Sequence, residues 1–139
     1  MFLGEYQHSL DAKGRIILPS RFRARLESVV ITRGLDGCLW VMPQEGWNRL
    51  AERLSDTSIA DPRARNFARF VFSGASEVRP DRQGRLFVAE HLRKHAGLER
   101  DVVVMGAGDR IEVWSPERWE RRRAEAEEHM EEDIAGLEL

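Results

Sequence analysis

The feature that most constrains this chain is an internal repeat, which fixes the size of the folding unit before any element is assigned. Phe2-x-Gly4 followed by Asp11-x-x-Gly14-Arg15 recurs as Phe72-x-Gly74 followed by Asp81-x-x-Gly84-Arg85, each residue 70 positions on. Downstream, Ile16-Ile17-Leu18 is answered by Leu86-Phe87-Val88, and Val29-Val30-Ile31 by Val102-Val103-Val104. Leu39-x-Val41 is answered by Ile111-x-Val113, and Trp47 by Trp119 at an offset of 72, with a small insertion around Gly97–Arg100. Five correspondences in register mark two copies of one module of about 45 residues. The expected boundaries are 5–47 and 76–119, with 120–139 a charged C-terminal helix or tail.

Each copy opens with an alternating stretch (Tyr6, His8, Leu10; Ser76, Val78, Pro80) that predicts a half-buried strand. The blocks DAKGR and DRQGR predict tight hairpin turns: Asp accepts from amides two or three residues on, and Gly takes the positive φ such turns need. The apolar run after Arg15 or Arg85 is the expected returning strand. A short helix follows, capped by Ser20 in the first copy, with Phe22 and Leu26 on one face; in the second it covers 90–96 and stops at Gly97. Buried strands are expected at Val29–Thr32 and Val102–Met105, then glycine-rich turns, then strands at Leu39–Met42 and Ile111–Trp114. Pro43 and Pro116 predict helix starts anchored on Trp47 and Trp119, the first continuing through Leu50, Ala51 and Leu54. Ser55–Pro62 reads as a linker and Arg63–Phe72 as its continuation.

The expected class is therefore mainly β with short helices (α+β). The chain has 139 residues, and a module of one third that size encloses too little apolar volume to fold alone. The two copies must share one core or pair with another chain, and short sheets with open edges favour oligomers. A hydrophobic content of 42% excludes a disordered chain. No apolar run reaches the ~18–20 residues of a membrane span, and the opening MFLGEYQHSLDAKGR has no basic segment before an apolar one, so no secretory signal is expected. The single Cys38 excludes an intrachain disulfide and a multi-cysteine zinc site. A cytoplasmic protein is expected.

The net charge of −2 conceals an uneven distribution. Residues 117–139 hold nine acids against four bases, which leaves residues 1–116 at +3. Residues 11–25 carry Lys13, Arg15, Arg21, Arg23 and Arg25 against Asp11 alone, a local basic stripe in an acidic chain.

The repeated Asp-x-x-Gly-Arg admits two readings. In one, Asp11 and Gly14 (Asp81 and Gly84) build a turn that pins Arg15 (Arg85) outward, where a guanidinium forks onto phosphate or a guanine edge. Lys13 and Arg82 at the tips then add phosphate contacts. In the other, the Asp–Arg pair merely stabilises a hairpin. A catalytic dyad of Asp11 and Asp81 is disfavoured, because the arginine four residues from each carboxylate keeps it ionised. His91 and His95 lie four apart in EHLRKH without a third ligand, and read as solvated surface residues rather than a metal pair. Gly106-x-Gly108 lacks the context of a dinucleotide loop. Cys38, in an apolar run, reads as packed rather than reactive. The four tryptophans (Trp40, Trp47, Trp114, Trp119) are candidate stacking platforms for single strands, but their apolar neighbours favour core or intersubunit packing. ERRRAEAEEHMEED reads as a solvated helix or tail. No enzyme activity, cofactor, metal or small-molecule substrate is expected.

The opening MFLGEYQHSLDAKGRIILPSRFR, the second DRQGR and the tandem layout resemble MraZ, a family of bacterial transcriptional regulators, over essentially residues 1–135. The resemblance implies two SpoVT/AbrB-like modules whose β-hairpins interlock into one pseudo-symmetric unit, and assembly into a ring-shaped homo-oligomer. It further implies binding of double-stranded DNA at short direct repeats upstream of the division and cell-wall gene cluster, with repression. Nucleoid association follows. The DNA-facing Asp-x-x-x-Arg motifs would be Asp11 with Arg15 and Asp81 with Arg85. The second copy has Gln83 where the first has Lys13, which makes the first repeat the expected principal reader. The competing class is a protein-interaction or antitoxin-like scaffold whose acidic tail captures a partner.

Overall fold

The computed structural model describes residues 1–57 and 59–139; Ser58, inside the expected linker, lies outside the described residues. In the first copy β1 (Glu5–Ser9) and β2 (Arg15–Ile17) flank the DAKGR turn, and α1 (Ser20–Arg23) leads to β3 (Val29–Arg33) and β4 (Leu39–Pro43). Two helices follow, α2 (Gln44–Asp56) and α3 (Pro62–Gly74). The second copy runs β5 (Ser76–Val78), β6 (Arg85–Phe87), α4 (Glu90–Ala96), β7 (Asp101–Gly106) and β8 (Ile111–Trp114), and ends in α5 (Pro116–Ala135).

The strands that flank each turn do not form a ladder with one another. β1 crosses to β7 of the other copy, pairing Glu5 with Met105 through Ser9 with Asp101, while β5 crosses to β3. β2 and β6 pair only with each other, Ile16 opposite Leu86. The result is an antiparallel six-stranded sheet in the order β1-β7-β8-β4-β3-β5 and a separate two-stranded ribbon, β2-β6. This corrects the reading of DAKGR and DRQGR as turns that each join the two arms of one hairpin. A three-residue strand buries almost nothing against its own neighbour; paired with its counterpart, Ile16 and Leu86 both become fully buried.

One core joins the copies. Ile16, Phe22, Val29, Ile31, Leu39 and Val41 of the first pack with their counterparts Leu86, Leu92, Val102, Val104, Ile111 and Val113 of the second. The opposite face of the sheet carries Trp40, Met42, Val103, Met105 and Trp114, covered by Trp47, Leu50, Phe67 and Trp119 from the helices. Burial on both faces explains why β3, β4 and β7 read as continuous apolar runs. Tryptophans 40 and 114 lie in this layer, 8% and 3% exposed.

The helices exceed expectation. α2 and α3 have 13 residues each and α5 has 20, so the mixed α+β chain is not one of short helices. Arg63–Phe72, read as linker, is α3: Asp61 accepts the Arg63 amide at 2.9 Å as its cap, and the Thr32 hydroxyl donates to the Val71 carbonyl at 2.6 Å, docking the helix on the sheet. Phe72 sits on its last turn whereas Phe2 lies in extended chain bridged to Gly108, so those two residues of the repeat are not structural equivalents. Ser20 does not cap α1; Pro19 occupies that position without a side-chain acceptor. α5 begins docked, with Arg118 Nη1 donating to the Gly37 and His95 carbonyls and Trp119 Nε1 to Glu5, and is exposed from Glu127 onward.

Candidate nucleic-acid interface

Both turns are built alike. One carboxylate oxygen of Asp11 accepts from the amides of Lys13 and Arg15 (2.9 and 3.0 Å), and the other accepts from Arg15 Nε at 2.7 Å. Asp81 repeats this with the amides of Gln83 and Arg85 (2.9 Å each) and Arg85 Nε at 2.7 Å. Gly14 and Gly84 turn the chain at φ of 77° and 79°, where a Cβ would be strained. Amide donation from Arg15 (Arg85), then its guanidinium, holds each carboxyl below the usual carboxylate range. Both carboxylates are therefore ionised near neutrality, and each ion pair uses Nε alone. The Nη1 and Nη2 ends of Arg15 and Arg85 make no hydrogen bond to the described residues.

The ribbon sets the two arginines side by side. Arg15 faces Phe87 and Ile17 faces Arg85 in the ladder; with the side-chain period of two, these four share the outward face while Ile16 and Leu86 point inward. Arg15 and Arg85 are then diagonal neighbours, the kind that lie about 7–8 Å apart with β-carbons somewhat closer. Their side chains are 26% and 27% exposed, and Lys13, Arg82 and Gln83 project at the tips. The face is cationic with apolar patches, Ile17 at 42% and Phe87 at 49% exposure.

Two further arginines back the turns. A Cβ placed on Gly14 would stand 3.1 Å from the Arg93 guanidinium carbon, and one on Gly84 2.6 Å from Arg23 Nη1. Arg93 Nε donates to the Val88 carbonyl at 3.0 Å, whereas Arg23 Nε is buried without a partner among the described residues. Arg23 belongs to the basic stripe, but neither it nor Arg93 is assigned to a turn by the repeat motif, although the two are related by the same offset of 70. Burial, then the Arg23 charge, lowers the His8 pKa.

Among the described residues no group of three His, Cys, Asp or Glu could hold a metal. His91 Nε2 lies 3.0 Å from the Gly74 carbonyl. His95 is not a solvated surface residue: it packs edge-on to Phe70 at 5.6 Å and its Nε2 is buried without a partner among the described residues. Burial, with Arg33 and Arg118 acting in the same sense, lowers its pKa. Cys38 is buried, which raises its thiol pKa. No helix among the described residues is long and apolar enough to cross a membrane.

Comparison with known proteins converges on one group. The family model described as "MraZ protein, putative antitoxin-like" matches twice, over residues 1–70 and 71–137. The chain belongs to the MraZ family. It is 53% identical over 133 residues to the transcriptional regulator MraZ of Heliobacterium modesticaldum, covering 95% of this chain and 93% of that protein. The protein of the same name from Halothermothrix orenii is 47% identical over 139 residues (99% and 97%) and that from Ligilactobacillus salivarius 48% over 136 (97% and 94%). All three relatives carry the name of a regulator, which is not an enzymatic role.

Proposed function

We propose that this MraZ family member is a sequence-specific DNA-binding transcriptional regulator that reads double-stranded DNA with the β2-β6 ribbon. One observation carries the reading. Two turns far apart in sequence meet on one short ribbon, each with its arginine pinned through Nε and its Nη fork left for an outside acceptor. A planar fork is the group suited to bidentate contact with guanine O6 and N7 or with phosphate. The B-DNA major groove, about 12 Å wide, admits a two-stranded ribbon. A ribbon of three-residue strands spans about 10 Å at ~3.3 Å per residue. Arg15 and Arg85 are the base readers; Lys13 and Arg82, with Arg23 and Arg93 behind, neutralise phosphate; Asp11, Gly14, Asp81 and Gly84 hold the turns. Lys13 ranks the first turn above the second.

The modules at 5–47 and 76–119 are of the SpoVT/AbrB type, with exchanged hairpins; the crossing of β1 to β7 and β5 to β3 supports this. One protomer offers few cations, so a ring-shaped homo-oligomer presents the ribbon repeatedly to short direct repeats and gains affinity through effective concentration. The protein acts in the cytoplasm on the nucleoid, repressing its own division and cell-wall gene cluster. A second reading, an antitoxin-like interaction module, is favoured by the description of the family model and the acidic tail. Removing residues 125–139, beyond the docked start of α5, separates the two. A regulator keeps its preference for operator over scrambled duplex, at an affinity reduced by whatever assembly the tail supplies; a capture module loses its partner and shows no shift at all.

A further inference from the structure

Two surfaces are left uncovered, and they complement each other. Beyond Arg123 the chain carries seven carboxylates between Glu125 and Glu138 and neither lysine nor arginine. Within this acidic stretch Ala126, Met130 and Ile134 fall four apart on α5, one stripe at helical spacing, and Leu137 follows just past the helix end. Met130, Ile134 and Leu137 stand 42%, 46% and 60% exposed. A helix that only faced solvent would gain nothing from such a stripe.

The second surface is where α2 meets α3. Leu54, Ile59, Ala64, Ala68 and Phe72 line an open groove of about 210 Å³ with Arg65 at its edge. Ile59 is 82% and Phe72 40% exposed. α3 bears Arg63, Arg65 and Arg69 and no acid; of these Arg63 is paired with Asp61. Arg53 flanks the groove on α2, beside Glu52 and Asp56.

The tail is not seated in the groove of its own chain: it is exposed from Glu127 onward. α5 is a single helix of 20 residues, about 30 Å long at 1.5 Å per residue, docked at its start by Arg118 and Trp119. We infer that the acidic apolar stripe of α5 seats in the α2–α3 groove of a second copy of this chain, its carboxylates over the arginines of α3. This rests on the oligomer in the proposed function and names the interface that reading leaves open. Because stripe and groove are different surfaces of one chain, the contact is head-to-tail, the kind that closes into rings.

The test uses the full chain in size-exclusion chromatography with light scattering, across protein and salt concentration. Met130→Ser/Ile134→Ser changes only exposed side chains, and Arg65→Glu/Arg69→Glu reverses the groove; far-UV circular dichroism checks that both are folded. Each variant alone is expected to run near protomer mass, and wild-type assembly to weaken with salt. An equimolar mixture is expected to stop at a dimer, since only one sound stripe and one sound groove then meet. Wild-type mass retained by folded Met130→Ser/Ile134→Ser overturns the docking but not the oligomer. A wild-type chain that is monomeric throughout overturns both, while the mobility shift still reports on the ribbon.

Discussion

Replacing Arg15 separates charge from geometry at the ribbon. Its Nε is held by Asp11 at 2.7 Å and its Nη fork makes no hydrogen bond to the described residues, so the side chain is oriented in advance of the proposed contact with DNA. A lysine at this position keeps the positive charge but has neither the fork nor the Nε that pins it. A bidentate arginine–guanine contact contributes ~1–3 kcal/mol of discrimination, or ~5–150-fold per engaged site. Arg15→Lys should therefore lower the preference for operator over scrambled duplex by that factor, with the slope of log K against log salt nearly unchanged. Arg15→Ala should lose the same discrimination, also with little change in slope, because the slope of about 0.9 per neutralised phosphate belongs to the cations at the tips. Both should elute at wild-type mass. Fluorescence anisotropy on the two duplexes over a salt series measures preference and slope together. Arg85→Ala should be milder, because Gln83 replaces the lysine at that tip. If Arg15→Lys keeps the full preference for operator, Arg15 reads no base and the argument from the fork fails.

Other consequences follow from the same geometry. Ile16→Ala empties a fully buried position opposite Leu86 and should cost about 2–5 kcal/mol in urea unfolding; a change under 1 kcal/mol would mean the ribbon is not packed on the shared core. Gly14→Ala forces an L residue to φ of 77° with its Cβ 3.3 Å from the Val88 carbonyl, a loss of about 1–2 kcal/mol. Gly14→Asn, which tolerates this region, should lose less, and the reverse order would contradict the turn. Because the Asp11 and Asp81 pKa values are lowered in the fold, their stabilisation is complete above the usual carboxylate value near pH 4. It is lost as pH falls through the lowered values. Asp11→Asn/Asp81→Asn should thus differ from wild type in urea midpoint at pH 6, and the gap should narrow progressively as pH falls below 4; a constant gap would refute the linkage. Cys38, buried with its thiol pKa raised, should resist iodoacetamide in the native protein and react in denaturant.

Much of this fold is legible in the residues, and what is not legible has definite physical causes. Val29–Ile31 and Val102–Val104 announce buried strands, and the shared core follows from modules too small to stand alone. Periodicity shows which face of a strand is buried but not which strand it meets, so the crossing of β1 to β7 is invisible in Tyr6, His8 and Leu10. α3 was hidden by position rather than pattern: Ala64, Phe67, Ala68 and Val71 have helical spacing, but they lie between two copies of a repeat and invite the name of linker. At the interface Asp11, Gly14 and Arg15 are plain from their recurrence. That Arg15 and Arg85 share one face depends on Ile16 meeting Leu86, a contact 70 residues long in sequence that only the tertiary fold supplies.

The most direct measurement is a mobility shift of the wild-type chain on the duplex immediately upstream of its own coding region, against a scrambled duplex of equal length, over a salt series. The account predicts tighter binding to the upstream duplex at every salt concentration, with affinity for both falling as salt rises. Equal affinity for the two duplexes, or no binding at low salt, would contradict it.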